Sequence, residues 1–132
     1  MTITYAWRGD FEDAAVDALH AEAFGHGPTA TDWRARVDRH SLGWVCARRG
    51  GRLVGFVDVV WDGGAHAFLL DTMVALELRG RGVGTWLVAV AAEGARSAGC
   101  HWLHVDFEGR LRPFSFQACG FRPTDAGLIA LG

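Results

Sequence analysis

Residues 77–88 read ELRGRGVGTWLV, and no other stretch restricts the possible folds so strongly. Gly80, Gly82 and Gly84 alternate with Arg81 and Val83 just before a run of good helix formers. Glycines this dense at a helix start suit a ligand that must approach the main chain closely. The common case is a phosphate held by free N–H groups at the positive end of the helix dipole. A loose turn that happens to use glycine is the plainer alternative in a chain with 18 of them. Upstream, AHAFLLDTMVAL is apolar enough for a central strand covered on both faces, and downstream HWLHVDFE reads as another strand. A strand, a helix and a strand in that order form a crossover unit, which makes the two strands parallel.

The remaining elements read as antiparallel structure with helices. TITYAWR alternates as a strand, and Asp10 is placed to cap a helix over FEDAAVDALHAEAF with Phe11, Ala15, Leu19 and Ala23 on one face. GHGP breaks the chain, and Thr31 opens a short helix, TDWRARVDRH, that buries Trp33 and Val37. GWVCARR and RLVGFVDVVW flank the Gly50–Gly51 pair, the pattern of a hairpin with a tight primed turn. The glycine-opened helix runs to about Ser97, burying Val83, Leu87, Val90, Ala91 and Gly94, and ends at Gly99. A short helix from Pro113 over RPFSFQACG and a last strand, AGLIAL, complete the order β-α-α-β-β-β-α-β-α-β. The expected fold class is α+β: a mixed, mostly antiparallel twisted sheet with helices on both faces.

A chain of 132 residues, half of them hydrophobic, reads as one domain spanning 1–132. A net charge of −2 gives no electrostatic case for nucleic acid or an anionic membrane. Cys46, Cys100 and Cys119 are an odd number without paired spacing, which favours reduced, mostly buried thiols over a metal site or a disulfide. No stretch is apolar over a length that spans a bilayer, so the expectation is a cytoplasmic protein. All 13 basic residues are arginine.

Two phosphate-binding patterns compete for the glycines. The dinucleotide fingerprint wants them directly after the first strand, whereas here ALELR intervenes and the strand follows a hairpin. A P-loop requires a lysine, and the chain has none.

The stretch LLDTMVALELRGRGVGTWLV instead resembles the signature of the GNAT family of N-acetyltransferases, an Arg or Gln, two residues, Gly, one residue, then Gly or Ala. Arg79, Gly82 and Gly84 occupy those positions, and FSFQACGF resembles the family's C-terminal motif, so the likeness extends over essentially the whole chain. The resemblance implies a splayed parallel strand pair with acetyl-CoA as cosubstrate and no metal. Its pantetheine arm would lie along the main chain of Thr72, Met73 and Val74. Its pyrophosphate would rest at Arg79, Gly80, Arg81, Gly82, Val83, Gly84 and Thr85, with Gly82 and Gly84 clearing side chains out of the way. The N–H of Val74 would polarise the thioester carbonyl. The acceptor would be a primary amine of a small molecule or peptide, with a homodimer left open and neither nucleic acid nor membrane as partner.

Acetyl transfer to an amine needs a neutral nucleophile, and an alkylamine with a pKa of about 10 requires a base. Asp71 interrupts an apolar strand beside the cofactor stretch, as a base or as a strand-end carboxylate bonded to nearby backbone. Asp106 and Glu108 follow His104 with strand alternation and form a second carboxylate row, or a solvated strand end. The family's usual Tyr near the sulfur falls on Phe116, flanked by Ser115, and Phe donates no proton. Either catalysis runs without that acid, since a thiol of pKa about 8.5 leaves tolerably as thiolate, or the protein is a catalytically impaired cofactor-binding module. Arg110 and Arg112 precede the last helix as phosphate contacts or solvated surface groups. Trp44, Trp61 and Trp102 are expected in the core, and His26 and Trp33 are the expected substrate contacts.

Overall fold

Five strands form one sheet in the order β1-β2-β3-β4-β5, in a computed structural model that describes residues 2–132. They are β1 (Thr4–Trp7), β2 (Ser41–Arg49), β3 (Arg52–Trp61), β4 (His66–Val74) and β5 (Trp102–Val105). The first three pairings are antiparallel and β4 pairs β5 in parallel, as the crossover requires. The β2–β3 turn uses Gly50 and Gly51 at φ 57° and 85°, the left-handed conformation of a primed turn.

Three helices cover this sheet: α1 (Asp13–Phe24), α2 (Trp33–His40) and α3 (Val83–Ser97). Neighbouring residues of β3 show that they divide between its faces. Phe56 packs edge-on against Phe11 and Trp33, on the α1–α2 side. A Cβ on Gly55 would meet Val83 and Leu87 of α3. Strand alternation sends these adjacent positions to opposite faces. Val45, Val54, Val57, Val59 and Leu87 are fully buried in the resulting core, each contributing about 1.5–3 kcal/mol relative to exposure.

Several expectations are corrected at the element ends. Helix α1 begins at Asp13 with Glu12 as N-cap and no side-chain cap, because Asp10 instead pairs with Arg34 at 3.2 Å. Phe11 is buried from the loop before the helix. The cap of α2 is Asp32, whose carboxylate accepts from the Ala35 N–H at 3.0 Å, while Thr31 bonds to Thr29. Strand β4 is not covered on both faces, since Phe68 and Leu70 lie 40% and 46% exposed beyond the reach of α1. Trp61 and Trp102 are exposed rather than core. The helix at Pro113–Ala118 is a single π-helical turn. AGLIAL forms no strand: a strand needs a partner, this run finds none, and Leu128, Ile129 and Leu131 stand in solvent. No helix among the described residues is long and apolar enough to cross a membrane.

Candidate active site

The register between β3 and β4 slips at one place. Phe56 faces Met73, but Asp58 faces Leu70, so β4 carries one more residue than β3 over that interval. The extra residue produces a β-bulge, and Asp71 sits in it at φ 56°. Left-handed backbone costs an L-residue roughly 1–2 kcal/mol, which is tolerated where the surroundings impose it and is concentrated at functional sites. The parallel partner ends at the same point: pairing runs from His66↔Trp102 to Leu69↔Val105 and stops. Beyond it, Thr72, Met73 and Val74 continue β4 without β5, which leaves a cleft between the two strands.

The glycine segment stands at this cleft. A short 3₁₀ turn, Leu76–Leu78, follows β4 and is tied to α1 by the Leu76 N–H donating to Glu22 Oε1 at 2.7 Å. Gly82 is the N-cap of α3 at φ 86°, Gly80 is at φ 75°, and no side chain caps the helix. A Cβ on either glycine would meet nothing within 4 Å, so the space over this turn is open. The surface is a bare, N–H-lined helix start of the kind a diphosphate requires. Gly84 has a different reason from the expected one: its Cβ would stand 3.1 Å from the Phe114 ring, so this glycine admits a side chain of the protein itself. Arg79 and Arg81 are exposed beside the turn.

On the other side of Asp71 lies a cluster that holds the expected His26 and Trp33 together with His20, which the sequence did not single out. His20 of α1 points its Nε2 at Asp71 Oδ1, 3.5 Å away. Its Nδ1 is 2.6 Å from His26 Nε2, and His26 Nδ1 is 2.6 Å from the Gly27 carbonyl oxygen. An open hollow of about 460 Å³ lies over these rings, lined also by Thr29, Thr31, Trp33 and Arg36. The loop carrying His26 is fastened by Asp17, which accepts from the Thr29 N–H at 2.8 Å and from the Thr29 hydroxyl. Those bonds hold the Asp17 carboxyl below its ordinary range. The Trp33 indole N–H faces the same carboxylate without reaching hydrogen-bond geometry. Behind Asp71, the buried Asp58 accepts from the Ser41 hydroxyl. Burial raises its pKa, and the charge of Asp71 adds to the rise.

The structure thus brings Asp71, His26 and Trp33 together, adds His20 and Asp58, and leaves Asp106 outside. Strand β5 ends before Asp106, which is exposed and has no hydrogen bond or ion pair among the described residues. Of the two readings of this strand end, the carboxylate–imidazole row does not form and the residues are solvated. Glu108 pairs with Arg110 at 2.8 Å, and His104 stacks on Phe68 and lies 2.8 Å from His66. Phe116 packs edge-on against Phe107 and under the Arg112 guanidinium. Cys46 is buried, while Cys100 and Cys119 are only partly so. A signal for His20 existed, since it lies four residues after the fully buried Val16 on the sheet-facing side of α1.

Residues 5–121 match the profile of the Acetyltransferase (GNAT) family. The chain belongs to that family. Solved structures share its fold over nearly the full length of both chains. A probable acetyltransferase from meticillin-resistant Staphylococcus aureus is 18% identical with a TM-score of 0.80, covering 99% of each chain. A GNAT-family acetyltransferase from Streptococcus pneumoniae is 20% identical with a TM-score of 0.78, over 99% of this chain and 98% of that one. AAC(6')-Iy, solved with the bisubstrate analogue CoA-S-monomethyl-acetylneamine, is 19% identical with a TM-score of 0.73, over 100% and 99%. No curated protein sequence matches the chain.

Proposed function

We propose that this GNAT domain, spanning residues 1–132, is an acetyl-CoA-dependent N-acetyltransferase that acts on a primary amine of a small molecule or peptide. The observation that carries the reading is the coincidence of the Asp71 bulge, the end of the β4–β5 pairing and the bare start of α3 at one cleft. The main chain of Thr72, Met73 and Val74 has no β5 partner. Its contact with Arg79, whose Nε donates to the Val74 carbonyl at 3.5 Å, is an exposed one that an extended pantetheine arm would displace as it pairs along this edge. The turn from Arg79 through Gly80, Arg81, Gly82, Val83 and Gly84 to Thr85 would receive the pyrophosphate. The relative bound to a CoA-linked bisubstrate analogue supports this choice of cosubstrate. The amine attacks the thioester carbonyl directly within a ternary complex, with the Val74 N–H polarising that carbonyl. Asp71, in the strained bulge between cleft and hollow, is placed to take part in removing the amine's proton. Asp106, exposed past the end of β5, is the second candidate for that role. The hollow that His26 and Trp33 line would hold the acceptor, and a cytoplasmic location fits such a cosubstrate.

Thermal stabilisation by acetyl-CoA, read beside thiol release over a panel of amines, tests this. Gly82→Val places a branched side chain in the open cradle and in left-handed backbone. The variant should fold by circular dichroism yet lose the stabilisation. Stabilisation equal to the parent's would overturn the cradle assignment. Phe116, standing where the family's usual Tyr would be, favours one second reading, a catalytically impaired cofactor-binding module. Cofactor binding without thiol release for any amine would establish that reading instead.

A further inference from the structure

The His20–His26 pair has a direction, and the Gly27 carbonyl sets it. A carbonyl oxygen only accepts, so His26 Nδ1, 2.6 Å away, carries a proton. In neutral His26 the Nε2 is then a lone pair, and His20 Nδ1, at 2.6 Å, must donate to it. Neutral His20 therefore presents a bare Nε2 to Asp71 Oδ1 at 3.5 Å. Two acceptors face each other, and the position between them calls for a donor. A protonated amine supplies one.

We propose that His20 Nε2 and Asp71 Oδ1 together accept the proton of the incoming ammonium, and that His26, anchored on the Gly27 carbonyl, holds His20 in the tautomer this requires and conducts the proton to solvent. This rests on the transferase reading above. In the step, an N–H bond of the ammonium breaks, its electron pair stays on the amine nitrogen, and the proton forms a bond to His20 Nε2. The Asp71 carboxylate lies alongside the imidazolium produced. The Nδ1 proton of His20 then passes to His26 Nε2, so the positive charge moves to an exposed ring next to water. His26 gives up its Nδ1 proton there. The reversed tautomer left behind points a lone pair at the Gly27 oxygen. Once the acetylated product has left, His26 Nδ1 takes up a proton from water and the Nε2 proton of His26 returns to His20 Nδ1. His20 Nε2 releases its proton to water in the emptied hollow, which restores the starting arrangement.

His20 is the catalytic member and His26 a positioning residue. The charged groups facing them come from four directions: Asp71 on β4, Asp58 behind it on β3, Asp17 on α1 and Arg36 on α2. Phe24 and Trp33 pack on the His20 ring, with centroids at 4.5 and 5.2 Å, and fix its plane.

Imidazole ¹⁵N chemical shifts of the whole protein test the direction without any substrate. Both neutral rings should carry their proton on Nδ1, the tautomer that free histidine disfavours. A protonated Nε2 on His26 with a bare Nδ1 would overturn the proposal. Kinetics test the role. His20→Asn should lower kcat by about 10²- to 10⁴-fold, the span of general-base catalysis, and remove or displace the rising limb of the pH profile. His26→Phe should lower kcat less and shift the His20 ring towards the Nε2–H form. His26→Gln should recover part of the loss, because its amide can accept from His20 and donate to Gly27. Thermal stabilisation by acetyl-CoA should be unchanged in all three. A parent that turns over an amine while His20→Asn keeps its rate and pH profile would overturn the relay alone. A parent that turns over no amine would overturn the transferase reading and the relay with it.

Discussion

Asp58 is 2% exposed, yet it is a carboxylate in the middle of β3. Burial is the largest cause of its raised pKa, the Ser41 hydroxyl opposes the rise, and the charge of Asp71 adds to it. Because the folded state holds this proton more tightly than the unfolded chain does, the associated stability is complete below the ordinary carboxylate pKa. It is lost as pH rises through the raised value. Asn at this position keeps an acceptor for Ser41 and does not titrate. Asp58→Asn should therefore gain stability relative to the parent as pH rises from about 4, the ordinary carboxylate pKa, through that raised value, as urea unfolding at a series of pH values would show. A gap that stays constant with pH would mean that Asp58 titrates alike in both states. The same substitution removes a titrating group from behind Asp71, so any change in the pH profile of turnover would report how far the two carboxylates are coupled.

Helix α3 packs against β1 and β2 through an indole. Trp7 lies between Gly94 of the helix and Gly43 of β2, and a Cβ built on Gly94 would stand 2.6 Å from the Trp7 ring. Gly→Ala inside a helix ordinarily stabilises by about 0.5–1 kcal/mol. Here the sign should reverse, with Gly94→Ala costing about 1–3 kcal/mol through overpacking. Trp7→Leu in the same chain should recover part of that loss, and a Gly94→Ala protein melting above the parent would refute the packing account. Glycine at this position was legible as part of the buried stripe, but its partner was not, because that partner is 87 residues away in sequence (94 − 7). The same division runs through the fold. The Gly50–Gly51 hairpin, the crossover and the glycine-opened helix are local patterns, and all three stand. The caps shifted by one to two residues because Asp10 found Arg34 and Asp32 outcompeted Thr31. The AGLIAL strand failed because pairing is not local: apolar alternation supplies a face, not a neighbour. Asp71 could be picked out as a carboxylate in an apolar run. The bulge that turns it, and His20 lying 51 residues earlier (71 − 20), emerge only when β3, β4 and α1 are assembled.

At the scale of the whole molecule, the sheet separates two tasks. Helix α3 and the glycine turn serve one side of the β4 bulge, while α1, α2 and the loop joining them build the hollow beyond it. A domain so arranged would hold an acetyl thioester close to its own surface, where any neutral primary amine competes with the acceptor. Lysine is the side chain that would supply such an amine, and this chain has none; its 13 basic residues are all arginine. A guanidinium stays protonated far above neutral pH and has no free lone pair for acyl transfer. Incubated with acetyl-CoA and no acceptor, the untagged protein should gain no stable Nε-acetyl mass, and at most one acetyl at its N-terminal amine. Intact-mass spectrometry reads this directly, and a stable series of several acetyl additions would refute it. Thiol release without added amine should accordingly be slow. A fast background with no gain in protein mass would then identify water as the acceptor, entering through the open hollow over His26.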